Sequence, residues 1–415
     1  MNDNDIIVSL DIGTSKIRVI IGEIKNGNIN IVGVGSTDSE GIRKGAIVDI
    51  DQTVQSIRNA VDHAERMVGI EITEVYVGIS GNHIKLQDSH GVVAVSNEDR
   101  EIGLEDIDRV LQAARVIALP PEREIIGVVP RQYLVDGLEG IQDPRGMIGV
   151  RLEVEATIIT GAKTTIHNLV KCVEKAGLKI AGLMLTSLAA GYMALSKDEK
   201  SLGTVLVDIG AGQTTVSVFD NGYLAATGTL PIGGDYVTND ISIGLKVQTD
   251  VAEMIKLKYG CALSEDADPK HVFRVTPIGA SQEQEFSQVD LAYIVEPRVR
   301  EIFQLIRDEV HRLGYKEPAG GYVLSGGSVS LPGIQAAAED ELKSVVRIAV
   351  PDYIGVRDPS FTNGVGMISY AARYHRMNPS TNSSSYSSSK SASSGSVVPK
   401  AGWFDRFKNW FKEFI

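Results

Sequence analysis

The chain has 415 residues, 43% of them apolar and 23% charged, a composition typical of a globular protein with about two or three domains. It carries 41 Lys and Arg against 53 Asp and Glu, and the resulting net charge of −12 argues against a nucleic-acid-binding protein. The two cysteines have no C-x-x-C spacing, which indicates a reduced, cytosolic protein. The N-terminus lacks the basic region and apolar stretch of a signal peptide, and no run of about 18 uncharged apolar residues occurs, so we expect neither a signal peptide nor a transmembrane span.

Apolar, β-branched runs alternate with amphipathic stretches along the first part of the chain. The runs predict strands at 6–10, 17–24, 29–35 and 74–80. Asn26-Gly27 has the sequence of a tight hairpin turn and joins the second of these strands to the third. Apolar residues at helical spacing predict a helix over 51–68, so this part of the chain is of the α/β class.

Residues 82–161 interrupt this pattern and are predicted to form a small inserted α+β subdomain. Its predicted elements are an extended segment at 89–96, a helix at 104–117 and strands at 125–129, 131–135 and 154–160. The main pattern resumes after the insertion, and a helix rich in small residues is predicted to begin near Leu185.

The first strand and the turn after it return later in the chain. Residues 7–15 consist of a strand, an Asp, a Gly and hydroxyl residues, and residues 205–214 repeat that order. The second copy continues into predicted strands at 215–220 and 223–229, again around an Asn-Gly turn. This repeat predicts a duplicated fold in which two related lobes face each other across a cleft.

Each repeated turn combines groups that can bind a phosphate. Gly lets the backbone approach closely, and backbone N–H groups together with Ser or Thr hydroxyls can donate to phosphate oxygens. Asp11 and Asp208 end the two strands and are predicted to hold Mg²⁺ through water, as that ion prefers. The alternative is that each turn merely begins a β-hairpin, but two copies in matching contexts favour the phosphate interpretation.

A third Gly turn, at 323–328, follows a predicted strand and precedes a helix beginning near Ile334. A backbone without Cβ atoms leaves room there for a flat adenosine. The order of two phosphate turns and a Gly-Gly adenosine turn resembles the superfamily of actin, sugar kinases and heat-shock chaperone ATPases. Residues 231–235, 252–260 and 296–298 further resemble the bacterial cell-division family FtsA, and this likeness covers essentially the whole chain.

The resemblance implies an actin-like, two-lobed ATPase fold and a site for ATP and Mg²⁺. The cofactor-binding residues that it implies are Asp11, Gly13, Thr14, Ser15, Lys16, Asp208, Gly210, Ala211, Gly212, Gln213, Thr214, Gly233, Gly234, Glu253, Lys256, Gly326, Gly327 and Ser328. Lys16 would supply the one fixed positive charge to the phosphates, while Glu253 and Lys256 would bond the ribose hydroxyls. An ordinary i,i+3 surface pair is the alternative interpretation of the last two residues.

The resemblance also implies how the chain is divided into domains. The first lobe would comprise residues 1–81 and 162–204, interrupted by the insertion at 82–161. The second lobe would comprise residues 205–377, and its last segment, from about 350, would return to the first lobe.

The composition changes sharply at 378–401, where 11 of the 24 residues are Ser, and this predicts a disordered linker. Residues 402–415 then predict a C-terminal amphipathic helix, which we interpret as a membrane anchor lying in the plane of the interface. Its apolar face consists of Trp403, Phe404, Phe407, Trp410, Phe411, Phe414 and Ile415. A helix that docks in the groove of a partner is the alternative interpretation.

The sequence offers no candidate for a catalytic carboxylate. Kinases and chaperones of the superfamily use such a group, but the helix that would supply it here begins at Leu185 and contains none before Tyr192. We therefore expect no catalytic residue and at most weak ATPase activity. ATP would act as a ligand that closes the lobes and gates assembly.

The function implied by the resemblance is that of a cell-division adaptor at the septum. It would bind ATP, assemble into an actin-like filament, anchor the FtsZ ring to the cytoplasmic side of the cell membrane and recruit other division proteins. Since a protein of charge −12 needs local positive groups to hold the FtsZ tail, the basic residues Arg274, Arg298 and Arg300 are candidate contacts. The alternatives are an ATP-dependent sugar or acid kinase and a pilus-assembly adaptor of the same superfamily.

Overall fold

The computed structural model describes residues 5–377. The predicted linker at 378–401 and the predicted membrane helix at 402–415 lie outside the described residues. Among the helices of the described part, none is both long enough and apolar enough to cross a membrane.

Strands and helices alternate through most of the described chain. The strands are β1 Asp5–Ile12, β2 Lys16–Lys25, β3 Asn28–Asp38, β4 Ile42–Arg43, β5 Ala46–Ile47, β6 Glu74–Ile79, β7 Lys85–Ala94, β8 Arg123–Val135, β9 Leu138–Ile141, β10 Arg151–Ala162, β11 Lys179–Leu185, β12 Thr204–Ile209, β13 Thr214–Asp220, β14 Tyr223–Leu230, β15 Val272–Val275, β16 Gln284–Ser287, β17 Tyr322–Ser325 and β18 Val346–Ile348. The helices are α1 Ile50–Val68, α2 Leu104–Ala114, α3 Lys163–Lys175, α4 Thr186–Ala194, α5 Lys197–Leu202, α6 Gly234–Leu245, α7 Thr249–Tyr259, α8 Gln288–Arg312, α9 Ile334–Leu342 and α10 Thr362–Met377.

Two five-stranded sheets have the same order and the same strand directions. The first runs β3-β2-β1-β6-β11 and the second β14-β13-β12-β17-β18. In both sheets the first three strands are antiparallel, and the last two continue parallel to the central strand. The duplication predicted from the repeated turns is therefore confirmed, and each sheet forms the centre of one lobe.

The hairpin turns have the backbone that their sequences predict. Asn26 and Gly27 have φ values of 51° and 80°, and Asn221 and Gly222 have values of 52° and 91°. Two successive positive φ angles are the mark of a type I′ turn, which matches the twist of the flanking strands. The predicted helix at 51–68 is also confirmed as α1, whose N-terminus is capped by the side chain of Asp49.

The helix α1 packs closely on β3 because a glycine lies beneath it. A Cβ atom at Gly35 would lie 1.9 Å from the carbonyl oxygen of Ala60 and 2.7 Å from the backbone nitrogen of Ala64. Ala60 and Ala64 are completely buried in the core of the first lobe. The small side chains on both surfaces bring helix and sheet into contact along the backbone.

The insertion has its own four-stranded sheet, β7-β10-β8-β9, covered on one face by α2. Its separate core includes Ile102, Val110 and Leu152. The compact α+β subdomain predicted here is confirmed, with three corrections to its elements. The predicted strands at 125–129 and 131–135 are one strand, β8, with a bulge at Arg131, directly after Pro130, which has no N–H to donate to the ladder.

The other two corrections concern a helix end and a short strand. The helix predicted at 104–117 ends at Ala114. The strand β9 was not predicted, because Gly137 and Gly140, both with positive φ, leave only a short run without clear alternation.

The helices α4 and α10 lie between the two sheets and join the lobes. On α4, a Cβ at Gly191 would lie 2.1 Å from the ring of Phe219 in the second lobe. On α10, a Cβ at Gly364 would lie 2.5 Å from Ile20, while one at Gly366 would lie 2.5 Å from the carbonyl of Ala189. These close backbone contacts hold the two lobes together at the joint. A cleft lies between the lobes at the carboxyl ends of the central strands β1 and β12.

Candidate functional site

The cleft between the lobes has a volume of about 460 Å³. Most of the residues that the sequence predicted for the site line it: Asp11, Gly13, Thr14, Ser15, Lys16, Asp208, Gly210, Ala211, Gln213, Gly234, Glu253, Lys256, Gly326, Gly327 and Ser328. The structure thus brings together three turns that are separated by more than a hundred residues each along the chain.

The two phosphate turns have the same local hydrogen bond. The N–H of Gly13 donates to the carbonyl of Lys16 at 3.1 Å, and that of Gly210 donates to the carbonyl of Gln213 at 3.0 Å. In the first turn a Cβ at Gly13 would lie 2.8 Å from the Lys16 carbonyl oxygen, so a glycine is needed there. Both turns can therefore offer backbone N–H and hydroxyl groups to an anion between them.

Three of the predicted residues, Gly212, Thr214 and Gly233, do not line the cleft and instead contact the backbone or side chains around the phosphate turns. The hydroxyl of Thr214 donates to the carbonyl of Ile232 at 2.8 Å and is buried, so it does not face the cleft. A Cβ at Gly212 would lie 2.8 Å from Thr14, and one at Gly233 would lie 2.4 Å from the Gly210 carbonyl oxygen. The assignment of Thr214 to phosphate contact is thus corrected, since strand alternation turns its side chain inward.

The two acidic residues end the central strands β1 and β12 and face the same cleft. Burial raises the pKa of Asp11 to about 6, although the positive charge of Arg18 opposes this shift and Asp208 adds to it. Burial also raises the pKa of Asp208, against the hydrogen bond that Asn363 donates to it at 2.9 Å. Two desolvated carboxylates close together favour the arrival of a cation.

The residues present fit a hydrated Mg²⁺. Among the described residues no three His, Cys, Asp or Glu side chains form a group able to enclose a metal ion. A pair of carboxylates in the lining of the cleft leaves most ligand positions of a cation to water and phosphate oxygens, the arrangement that Mg²⁺ prefers.

The two carboxylates differ in their neighbours across the sheet. Asp11 is the cross-strand partner of Arg18, whose guanidinium also lies 5.3 Å from the ring of Phe361. Asp208 is instead the cross-strand partner of Thr215 on one side and Ser325 on the other. A cation therefore adjoins the first carboxylate in the sheet, whereas hydroxyl residues adjoin the second.

The resemblance implied that Lys16 is the one fixed positive charge of the cleft, but the structure places other basic side chains there as well. Its ammonium is bound to Asp38 at 2.5 Å, and 42% of its side chain is exposed. Arg18 lines the same cleft two residues further along β2, and Lys256 lines it from the second lobe. At least three basic side chains therefore line the cleft, two of which already have a carboxylate partner.

Glu253 and Lys256 form an ion pair of 2.7 Å within the cleft. The ammonium of Lys256 also donates to Thr238 at 2.8 Å and to the carbonyl of Gly234 at 3.2 Å, and only 14% of its side chain is exposed. The hydroxyl of Thr238 donates to Glu253. These contacts tie α7 to the start of α6 and distinguish this pair from an ordinary surface pair.

The third turn needs a glycine for two reasons. Gly326 has a φ of 95°, and a Cβ there would lie 2.5 Å from a carboxylate oxygen of Asp208. The hydroxyl of Ser328 donates to the carbonyl of Gly210 at 2.9 Å, which fixes the third turn against the second. Leu331 and Pro332 continue the lining as an apolar wall.

Several lining residues were missed by the sequence reasoning. They are Arg18, Gly45, Ser80, His83, Thr186, Asp358, Ser360 and Asn363. Arg18 had a usable signal, because residues two apart in a strand share a face and Lys16 was already assigned. No local pattern in the sequence could have identified Asn363, because it lies beside Asp208 only through the return of the chain to the joint between the lobes.

The three arginines proposed as partner contacts are all paired with carboxylates. Arg274 bonds Glu285 at 2.9 Å, and Arg298 bonds Asp240 at 2.5 Å while its guanidinium lies 5.7 Å from the ring of Tyr236. Arg300 is held by Glu296, Asp340 and Glu341 at 2.6–2.9 Å. Each guanidinium therefore already has an acidic neighbour, and the assignment of these arginines to a partner contact stays a prediction.

Two family models and several curated proteins match this chain. The family model described as Cell division protein FtsA matches residues 205–366, and the model described as SHS2 domain inserted in FTSA matches residues 81–160. The cell division protein FtsA of Bacillus subtilis is 51% identical over 377 residues, which cover 91% of this chain and 86% of that protein. The protein of the same name from Pseudomonas aeruginosa is 40% identical over 414 residues, 97% of each chain.

Solved structures show the same fold at low sequence identity. The type IV pilus biogenesis complex PilM-PilN contains a chain with a TM-score of 0.61 and 16% identity, covering 88% of this chain and 98% of that one. MreB5 of Spiroplasma citri bound to ADP has a TM-score of 0.55 and 12% identity, covering 90% and 98%. The fold is thus the actin-like ATPase fold with an inserted SHS2 subdomain, and the chain belongs to the FtsA family of cell division proteins.

Proposed function

We propose that this chain binds ATP with Mg²⁺ between its lobes and serves as the adaptor that anchors the FtsZ ring to the membrane. The observation that supports nucleotide binding is the convergence of two equivalent phosphate turns and two half-buried carboxylates with raised pKa values on one cleft. Membership of a cell-division family supports the adaptor role. The actin-like fold supports assembly of the chain into a filament.

In this proposal the phosphate tail lies between the turns at Gly13–Ser15 and Gly210–Gln213. Asp11 and Asp208 hold Mg²⁺ through its water ligands, and the ion neutralises phosphate charge. Glu253 and Lys256 bond the ribose, while the turn at 326–328 backs the adenosine.

The cleft offers little for hydrolysis. The helix α4 contains no carboxylate, and its lining residue is Thr186, whose hydroxyl cannot accept a proton from water at neutral pH. We infer weak ATPase activity at most, with ATP acting as a ligand that favours the closed lobes and thereby assembly. A sugar or acid kinase would need a base here, so that alternative is not favoured.

The attachment to the membrane is assigned to residues 402–415, whose apolar face would insert at the cytoplasmic side of the membrane. A single helix of 14 residues binds weakly, so assembly of many protomers would strengthen attachment by multivalency. The FtsZ tail is assigned to the lobe that carries α8, and the insertion is assigned to contacts with neighbouring protomers and other division proteins. The pilus-assembly alternative is not favoured, because its likeness lies in the fold alone.

Flotation with liposomes tests the adaptor proposal. The full chain and a chain ending at residue 401 would be mixed with FtsZ and vesicles of anionic and neutral lipid, with and without Mg·ATP. We expect the full chain to carry FtsZ to the vesicles and to do so better with Mg·ATP, whereas the shortened chain leaves FtsZ in solution. Equal flotation of FtsZ by the two chains would contradict the proposed anchor.

A further inference from the structure

The short hairpin formed by β4 and β5 reaches the phosphate end of the cleft. Its two-residue turn, Lys44-Gly45, has φ values of 49° and 74°, the same type I′ geometry as the longer hairpins. Lys44 therefore holds a left-handed backbone that costs a non-glycine residue energy. No sequence motif singled out this turn, yet it contacts both phosphate turns.

Gly45 contacts the first phosphate turn through its backbone. Its N–H donates to the hydroxyl oxygen of Thr14 at 3.1 Å. Because this donor occupies one side of the oxygen, the hydroxyl proton of Thr14 must point elsewhere and is free to donate to a phosphate oxygen. Gly45 thus positions Thr14 as a donor.

Gly45 also contacts the second phosphate turn. A Cβ there would lie 2.1 Å from the amide oxygen of Gln213, so the glycine lies flat against that side chain. The amide nitrogen of Gln213 in turn donates to the hydroxyl of Ser80 at 3.0 Å. The amide of Gln213 is therefore held by two groups of the first lobe, although Gln213 itself belongs to the second.

Lys44 extends the contact to α6. Its ammonium donates to the phenol oxygen of Tyr236 at 3.0 Å and lies 5.4 Å from the centre of that ring. Tyr236 lies in the first turn of α6, two residues after Gly234 of the pair that supports the second phosphate turn. The ammonium of Lys44, in the first lobe, thus binds a side chain of α6, the helix that begins beside the cleft.

We propose that the Lys44-Gly45 turn is a clasp that holds the two lobes closed over the phosphate tail of a bound nucleotide. The clasp contacts both lobes at once, so opening the cleft must break the contacts of Lys44 with Tyr236 and of Gly45 with Gln213. Nucleotide release then requires the clasp to open, and a weakened clasp speeds release. This inference rests on the proposed binding of ATP.

The test compares two glycines in equivalent turns. Gly45→Ala places a methyl group against Gln213, whereas Gly222→Ala introduces the same backbone strain in a type I′ turn where a Cβ meets nothing within 4 Å. Release of a fluorescent ATP analogue with Mg²⁺ would be followed by stopped flow on the full chain. We expect release from Gly45→Ala to be about tenfold faster than from the unmodified chain, and release from Gly222→Ala to change less than about twofold.

A second pair of substitutions tests the contact made by Lys44. Lys44→Met and Tyr236→Phe each remove the hydrogen bond, and we expect each to speed release about threefold. The double variant should release at about the rate of Lys44→Met alone, because the hydroxyl of Tyr236 has no ammonium to bond once Lys44 is replaced. Effects that multiply in the double variant would overturn the proposed contact.

The outcomes separate the clasp from the function on which it rests. If the unmodified chain binds no ATP analogue, both the proposed nucleotide binding and the clasp fail. If it binds the analogue but Gly45→Ala releases it no faster than Gly222→Ala, the clasp alone fails. Circular dichroism of each variant shows whether it is folded, and the exposed side chain of Lys44 makes its replacement compatible with folding.

Discussion

The side chain of Asn363 donates a hydrogen bond of 2.9 Å to Asp208, a residue 155 positions earlier in the chain. Asn363 lies at the start of α10, where the chain returns to the joint between the lobes. The second carboxylate of the cleft is therefore held in place from that joint.

Replacement of Asn363 by Ala should lower the apparent affinity of the nucleotide-bound chain for Mg²⁺. The bond stabilises the charged form of Asp208, so its loss raises the pKa of that carboxyl further and leaves it free to turn. Loss of one such bond to a charged group costs about 1.5–3 kcal/mol, or about tenfold or more in apparent Mg²⁺ affinity. Titration with Mg²⁺ at fixed ATP analogue measures this. Ser369→Ala on the same helix, which removes a bond only to Val365, is the control.

The free energy of unfolding of the nucleotide-free chain should fall as the pH rises toward about 6, because Asp11 loses its proton. Burial raises the pKa of Asp11 from 3.8 to about 6, so the folded chain binds this proton more tightly than the unfolded chain between those values. The favourable contribution is complete below the unfolded pKa of 3.8, falls as the pH rises toward about 6 and is lost above that value, with a total of about 3 kcal/mol at most.

Urea unfolding at several pH values, in the presence of EDTA, measures this term. Asp11→Asn cannot titrate and should show a smaller fall in the free energy of unfolding between pH 5 and 7.5. Parallel pH profiles of the two proteins would show that Asp11 titrates normally.

Replacement of Gly326 by Ala should damage both folding and nucleotide binding. The residue has a φ of 95°, and the new Cβ would lie 2.5 Å from Asp208 and from the carbonyl of Ile209. We expect a loss of about 2–3 kcal/mol in the free energy of unfolding, measured with urea. Gly355→Ala is the matched control, since its φ of 86° brings the same strain with nothing within 4 Å. Equal losses in the two variants would show that the contact with Asp208 is unimportant.

Replacement of Arg300 by Ala should reduce stability even without a partner. The side chain neutralises Glu296, Asp340 and Glu341, and 30% of it is exposed, so we expect a loss of about 1–2 kcal/mol in the free energy of unfolding. Urea unfolding at low and at high salt measures it, and the loss should shrink at high salt. Lys343→Ala, which removes a well-exposed partner of Asp340, should change stability by less than about 0.5 kcal/mol.

Comparison of Arg300→Ala with Glu341→Gln separates direct contact with an FtsZ tail peptide from a structural role. A weaker binding of the peptide by Arg300→Ala counts as evidence for contact only if it exceeds the effect of Glu341→Gln, which loosens the same cluster from the other side. Equal effects of the two substitutions would place the role of Arg300 within the fold.

The sequence predicted the parts of the fold that depend on local signals. The two Asn-Gly hairpins, the helix at 51–68 and the repeated strand with its Asp and Gly were predictable, because turn chemistry and apolar spacing act over a few residues. The duplication followed from the repeat. Most of the lining of the cleft followed from the three turns.

The remaining features depend on contacts between distant parts of the chain. The inward side chain of Thr214, the clasp at Lys44-Gly45 and the bond between Asn363 and Asp208 all follow from how the lobes meet. The ion pairs of Arg298 and Arg300 likewise need Asp240 and Asp340, which lie on other helices. Charge counted along a sequence cannot show which cations are already neutralised.

Asp11 and Asp208 have different cross-strand neighbours, so the two halves of the cleft are not electrostatically equivalent. A perfectly symmetric clamp would accept a linear guest in either of two opposite poses, because its halves would be interchangeable. Here Arg18 stands across the ladder from Asp11, whereas Thr215 occupies the equivalent place beside Asp208. The two poses therefore differ in electrostatic energy, which favours one of them for a molecule with a charged end and a neutral end.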